Sequence, residues 1–173
     1  MSRLLAEAFK CVGVTEHDPG DNPVILQWAR ELGIGDIFTR DSQAWCTLFL
    51  SCMVQRAGLP LPPRHLLLWS MAYAKWGTER GGEPQLGDVV VTWRGKREQQ
   101  IGHVRIFLAI TKPDTWLMVG GNQQGHLGDN VSIKEAIVRP ELNLVSVRVP
   151  PEPITRPDNA IHVRINPRDE QAA

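Results

Sequence analysis

Apolar residues recur at helical spacing through the first part of the chain and change to strand-like runs near residue 88. Leu4, Leu5, Ala8, Phe9 and Val12 fall on one helical face, and Gly13 ends that run. After a polar loop from Thr15 to Asp21, Asn22 offers an N-cap with Pro23 at the first helical position, where a missing N–H costs nothing. Val24, Ile25, Trp28, Ala29 and Leu32 then form a second stripe, closed by Gly33. A third helix is expected from about Trp45 to Ala57, with Cys46, Phe49, Leu50, Met53 and Ala57 spaced for burial and Gly58 as its end. Beyond the Pro62-Pro63 break the pattern predicts a short helix from His65 to Lys75.

From Gly87-Asp88 onward the period is that of strands. Asp88 to Trp93 and Gly102 to Ile110 are β-rich, and Thr115 to Val119 follows the Lys112-Pro113-Asp114 turn. Val131 to Ile133, Ala136 to Val138 and Leu144 to Val149 are further short strands. Helices first and strands later predict an α+β fold: N-terminal helices packed on a small antiparallel sheet. Residues 150–173 carry five prolines (Pro150, Pro151, Pro153, Pro157 and Pro167) and read as a tail, with Ile161 to Ile165 as one candidate edge strand. The expected division is therefore a domain over 1–149 and a Pro-rich extension over 150–173.

At 173 residues, with 42% hydrophobic and 22% charged residues, the chain has the size and composition of one globular domain. Nineteen basic and nineteen acidic residues cancel, so no overall charge favours nucleic acid or an anionic membrane. No apolar run reaches the roughly 18–20 residues that cross a bilayer. The N-terminus carries Glu7 within its apolar stretch and reads as an amphipathic helix, not as a secretory signal. The expectation is synthesis in the cytoplasm. Cys11, Cys46 and Cys52 are an odd number of cysteines, so at least one thiol should be free.

Several chemistries lack their motifs: there is no Gly-x-Ser-x-Gly elbow, no His-Glu-x-x-His, no phosphate-binding loop and no dinucleotide fingerprint. Cys46 and Cys52 lie about 240° apart around one helix, which disfavours a shared zinc ion. The acids of Asp18 to Asp21 read as a solvated loop, so neither a metal nor another cofactor is expected. Cys46 stands in the first turn of its predicted helix, where unpaired N–H groups and the macrodipole favour a thiolate and can hold an oxyanion. Its alternative is a small buried hydrophobe; Cys11 and Cys52 read as core residues.

A nucleophilic cysteine needs a base and a group to orient that base. His103, after Gly102 at the start of an apolar strand, is the candidate base; His17, His65, His126 and His162 read as surface residues. If the Gly102–Ile110 and Thr115–Gly120 segments form a hairpin, Asn122 leaves the sheet near His103 and can accept its ring N–H. A simple turn residue after two glycines is the alternative.

Taken in order, Asp41-x-x-x-Trp45-Cys46-x-x-Phe49, Ala57-Gly58, Trp76-Gly77, Pro84-x-x-Gly87-Asp88-Val89-Val90, Gly102-His103-Val104 and Gly120-Gly121-Asn122-Gln123 resemble the NlpC/CHAP-type papain-like cysteine peptidoglycan hydrolases of bacteria and phages. The resemblance covers residues 1–149. It implies a cysteine-bearing helix packed on an antiparallel sheet that carries the histidine, and hydrolysis of peptidoglycan amide bonds by an endopeptidase or amidase. It assigns Cys46 as nucleophile, His103 as general base and acid, and Asn122 as the residue orienting His103. Gln43 is a candidate oxyanion donor, Asp41 a candidate cap of the cysteine helix, and Trp45 and Trp76 candidate groove walls. Core packing is expected for Trp28, Trp69, Trp93 and Trp116. Arg105 departs from the family, which usually has a small residue two positions after the histidine. The expected alternatives for it are a clamp on a substrate carboxylate or a salt bridge to a nearby acid. The implied setting is a lysin, a virion-associated hydrolase or an injected effector, acting at the cell wall or periplasm after release, injection or virion delivery. Its partners would be peptidoglycan and a phage particle, a secretion apparatus or an immunity protein. A catalytically inactive wall-binding or structural module of the same fold is the competing reading, and an amide hydrolase or transferase on a non-wall substrate is a third.

Overall fold

A computed structural model describes residues 2–153. The chain is α+β, with three short helices beside one antiparallel sheet. The helices are α1 (Arg3–Phe9), α2 (Pro23–Glu31) and α3 (Cys46–Arg56). The strands are β1 (Thr78–Glu79), β2 (Val89–Trp93), β3 (Gly102–Lys112), β4 (Thr115–Gln123), β5 (Asn130–Ile137) and β6 (Leu144–Val149), in spatial order β1-β6-β2-β3-β4-β5.

Local chemistry sets the helix starts. Ser2 Oγ accepts the Leu5 N–H to open α1, and Asn22 Oδ1 accepts the Val24 N–H to open α2 with Pro23 behind it. α1 stops at Phe9, about one turn before the hydrophobic stripe does. Cys11 and Val12 donate to carbonyls three residues back, and the Gly13 N–H crosses to the Val131 carbonyl, so Val12 is left exposed.

Three expectations are corrected here, and one strand appears that was not expected. The single helix expected over 65–75 is two 3-10 turns, Arg64–Leu66 and Ser70–Lys75. Long-range anchors hold the second turn in place: Ser70 Oγ accepts the Gly102 N–H, and the Tyr73 hydroxyl hydrogen-bonds Ser51 Oγ at 3.0 Å. Trp69, expected in the core, is 43% exposed between these turns. The strand Thr78–Glu79 was not foreseen; two exposed residues pairing with Val149 and Arg148 leave no periodicity to read. The two segments expected over 131–133 and 136–138 are one continuous strand, β5. The candidate edge strand Ile161–Ile165 lies outside the described residues.

The β2–β3 register pairs Val91 with Val104, Thr92 with His103, and Val90 with Arg105. Because side chains alternate along a strand, this register separates two faces. Val89, Val91, Val104, Ile106, Val119 and Val131 join the helices in the main core, around Trp28, Trp45 and Phe49. Val90, Phe107, Trp116 and Met118 form a smaller cluster on the opposite face, the one that His103 and Arg105 share.

Candidate active site

Cys46 is the first residue of α3 and is 6% exposed. No side chain caps this helix: its N-cap is Trp45, which contributes no side-chain hydrogen bond. The first-turn N–H groups therefore remain directed at the thiol end, where they favour negative charge. Cys46 Sγ has one polar neighbour, Thr47 Oγ1, at 3.7 Å. Cys11 and Cys52 are also free and buried, and burial pushes both thiols up, far above the usual range for Cys52.

His103 lies near the start of β3, the strand expected to carry it. It is 7% exposed, and its Nδ1 is buried with no hydrogen-bond partner. Loss of water drives its pKa down to about 3, with Arg105 and Arg94 adding positive charge nearby. The ring is thus neutral over the physiological range, and its surroundings disfavour the imidazolium. His17, His65 and His126 are exposed as expected, and His162 falls outside the described residues.

The end of the sheet that carries His103 is split. β3 pairs with β2 from Gly102 onward, but its register with β4 begins only at Ile106 opposite Val119. Past Val119, β4 continues against β5, with an irregularity between Gly120 and Gln123. Two glycines border the parting. A Cβ on Gly120 would come within 2.6 Å of Arg105 Cγ on one face, and a Cβ on Gly121 would come within 2.6 Å of the Trp45 ring on the other. α3 begins beside this parting, where the Trp45 ring and Phe49 face Gly121. Cys46 belongs to the main core on the α3 side of the sheet, whereas His103 and Arg105 share the opposite face. No hydrogen bond joins Cys46 to His103.

Asn122 does not do what was expected of it. Its Oδ1 accepts the Trp45 backbone N–H at 3.1 Å, and its Nδ2 donates to Asp129 Oδ2 at 2.8 Å and Glu16 Oε1 at 3.4 Å. Both ends of the amide are occupied away from His103. The reason is conformational: Asn122 sits at φ 55°, a left-handed bend that turns its side chain toward the start of α3.

The other assignments also need correction. Asp41 does not cap α3; its Oδ2 accepts from the backbone N–H groups of His17 and Asn22, tying the 15–21 loop to the start of α2. Gln43 is not an oxyanion donor, because its Oε1 takes the Thr39 and Arg40 N–H groups and its Nε2 turns to the Ile37 carbonyl. Trp45 does not wall a groove. It is fully buried against Trp28, with its indole N–H on Glu16 Oε1 at 2.6 Å. Trp76 is likewise buried, donating to the Pro60 carbonyl.

Arg105 stands beside His103 as the spacing predicts. It donates to Thr92 Oγ1 at 2.9 Å, its Nε is buried without a partner, and it forms no ion pair among the described residues. The expected salt bridge to a nearby acid is thus not formed with any described residue. Glu16 and Asp129, which hold Trp45 and Asn122, are the polar residues that the sequence reading missed; their distance along the chain from both partners leaves no local signal.

Among the described residues no cluster of His, Cys, Asp and Glu is arranged to hold a metal ion, and no helix is long and apolar enough to cross a membrane. A comparison of the chain with protein-family models, curated proteins and solved structures finds no match.

Proposed function

We propose that this chain is a papain-like cysteine hydrolase of the NlpC/CHAP type that cleaves amide bonds in peptidoglycan. The observation that carries the reading is the placement of Cys46. It heads a helix with an uncapped first turn, next to a parting in the sheet that has His103 and Arg105 on its other side. The ordered series of sequence motifs supports the wall as substrate, and the helix-on-sheet arrangement is the one such an enzyme needs.

In this mechanism substrate binding brings Cys46 and His103 together and places negative charge beside the ring, and His103 then takes the Cys46 proton as the sulfur attacks the amide carbonyl. The first-turn N–H groups of α3 hold the oxyanion. Collapse of the tetrahedral adduct breaks the C–N bond, and imidazolium gives its proton to the departing amine. Water then attacks the thioester, loses a proton to His103, and the acid product leaves as that proton returns to sulfur. The buried, unpartnered Nδ1 of His103 suits a base whose hydrogen bond forms only with substrate bound. Access to the wall would follow release, injection or delivery on a virion.

A second reading has its own support. With Asn122 committed to Trp45 and Asp129, no side chain among the described residues orients the His103 ring, as expected of a fold kept for binding alone. Turbidity of purified sacculi separates the two. Lysis by the wild-type chain that Cys46→Ala abolishes supports the enzyme; sedimentation of an inert wild-type chain with sacculi supports the binding module. Mass analysis of released muropeptides identifies the bond, and intact sacculi with hydrolysis of other amides would point to a non-wall substrate.

A further inference from the structure

On the sheet face away from α3, a cavity of about 360 Å³ opens beside the candidate site. Its lining includes Thr92, Arg94, His103, Arg105, Gln123 and Lys134. Three of these side chains are cationic. The carboxylate in the lining, Glu135, pairs outward with Lys112 at 3.7 Å. Arg105 is the anomaly, since charges withdrawn from water are ordinarily paired or fully hydrogen-bonded. Here one guanidinium N–H reaches Thr92 and the buried Nε reaches nothing. The neighbouring His103 Nδ1 is orphaned as well. A buried guanidinium nitrogen without a partner, in a cavity lined by three cationic side chains, suits an anionic ligand.

We propose that this cavity binds the free carboxylate of a peptide substrate, with Arg105 as its principal contact. The identity of the ligand as a peptide rests on the hydrolase reading; the unpaired cation does not. A planar guanidinium matches a carboxylate through two parallel N–H···O bonds, which a compact ammonium cannot reproduce. Gly120 makes room for the arginine: its missing Cβ is what lets the Arg105 stem lie flat against β4. The cavity would hold one or two small residues ending in a carboxylate. Under the hydrolase reading it would select a bond near a peptide terminus over one inside a long chain, because the base His103 and the clamp Arg105 line the same cavity.

The test is binding of N-acetyl-D-alanyl-D-alanine and of its C-terminal amide, by calorimetry on the Cys46→Ala chain so that neither probe is cut. The acid should bind at least about tenfold more tightly than the amide, as a charge-assisted pair requires. Arg105→Gln should bring the ratio to about one and Arg105→Lys should keep part of it, with near-ultraviolet circular dichroism showing that both variants fold. Acetate should compete with the acid probe in the Arg105 chain. Equal binding of acid and amide, or a preference that survives Arg105→Gln, overturns the inference. Lysis of sacculi without carboxylate preference would overturn it while leaving the hydrolase reading intact. Carboxylate preference in a chain that leaves sacculi untouched would keep the cavity and remove the hydrolase reading.

Discussion

The backbone N–H of Trp45 donates to the Asn122 side-chain carbonyl at 3.1 Å, fastening the residue before the cysteine helix to the far end of β4. The same amide reaches Asp129 and Glu16, and Glu16 in turn accepts the Trp45 indole N–H. Asn122 thus fixes where α3 begins. Asn122→Gly tolerates the left-handed backbone but removes the acceptor, so a buried N–H goes unpaired. Urea denaturation should show a loss of about 1–3 kcal/mol. Full stability with lost activity would instead return Asn122 to the role of orienting His103.

Asn122→Asp keeps the acceptor but sets a second carboxylate against Asp129, 2.8 Å from the present amide nitrogen. Repulsion should destabilise this variant at pH 7 and fade as one carboxyl takes a proton on acidification toward about pH 4. A thermal midpoint that trails wild type equally at pH 7 and pH 4 would contradict the contact.

Gly121 is where α3 and β4 touch. An added Cβ would come within 2.6 Å of the Trp45 ring and 2.7 Å of Phe49 Cβ. Both neighbours are fully buried, so neither can yield cheaply, and Gly121→Ala should cost about 1–3 kcal/mol through overpacking. Gly120→Ala should act differently, by lifting Arg105. Its signature is weaker binding of the acid probe, read by the same calorimetry.

Much of this architecture was legible in the sequence, because caps and periodicity are local. Asn22-Pro23 announces α2, and the hairpin of β3 and β4 follows from two β-rich runs around Pro113-Asp114. The roles of polar side chains were not legible. Asp41 bonds residues 19 and 24 positions away, and Asn122 bonds Trp45 at a separation of 77, so tertiary packing chose their partners. Trp45 was misassigned for a related reason: proximity to a motif says nothing about which way an indole points. Arg105 was the informative departure, since same-side placement beside His103 needs only strand alternation.

Burial of neutral His103 makes stability depend on pH. Its pKa falls from 6.5 to about 3 on folding, so the unfolded chain binds the extra proton between those values. The contribution is complete above pH 6.5 and is lost as pH falls toward 3, at roughly 1.4 kcal/mol per pH unit where steepest. Arg105 and Arg94 lower the folded pKa further and so extend the window toward lower pH. Urea midpoints of wild type and His103→Gln should converge as pH drops from 7 to 4; parallel curves would contradict a desolvated ring.

The three thiols should differ in reactivity. Burial pushes Cys11 and Cys52 up, which suppresses their thiolates at neutral pH, whereas Cys46 stands at the head of α3. Brief iodoacetamide treatment of the native chain at pH 7.5, read by peptide mapping, should alkylate Cys46 first. Faster labelling of Cys11 or Cys52 would contradict this ordering.

The most direct measurement is an acid-quenched digest of sacculi followed by peptide mapping of the enzyme. A Cys46 peptide carrying a wall-derived acyl group, released by hydroxylamine and lost in Cys46→Ala together with muropeptide release, is the predicted result. Sacculi left intact, or muropeptides still released by Cys46→Ala, would contradict the account.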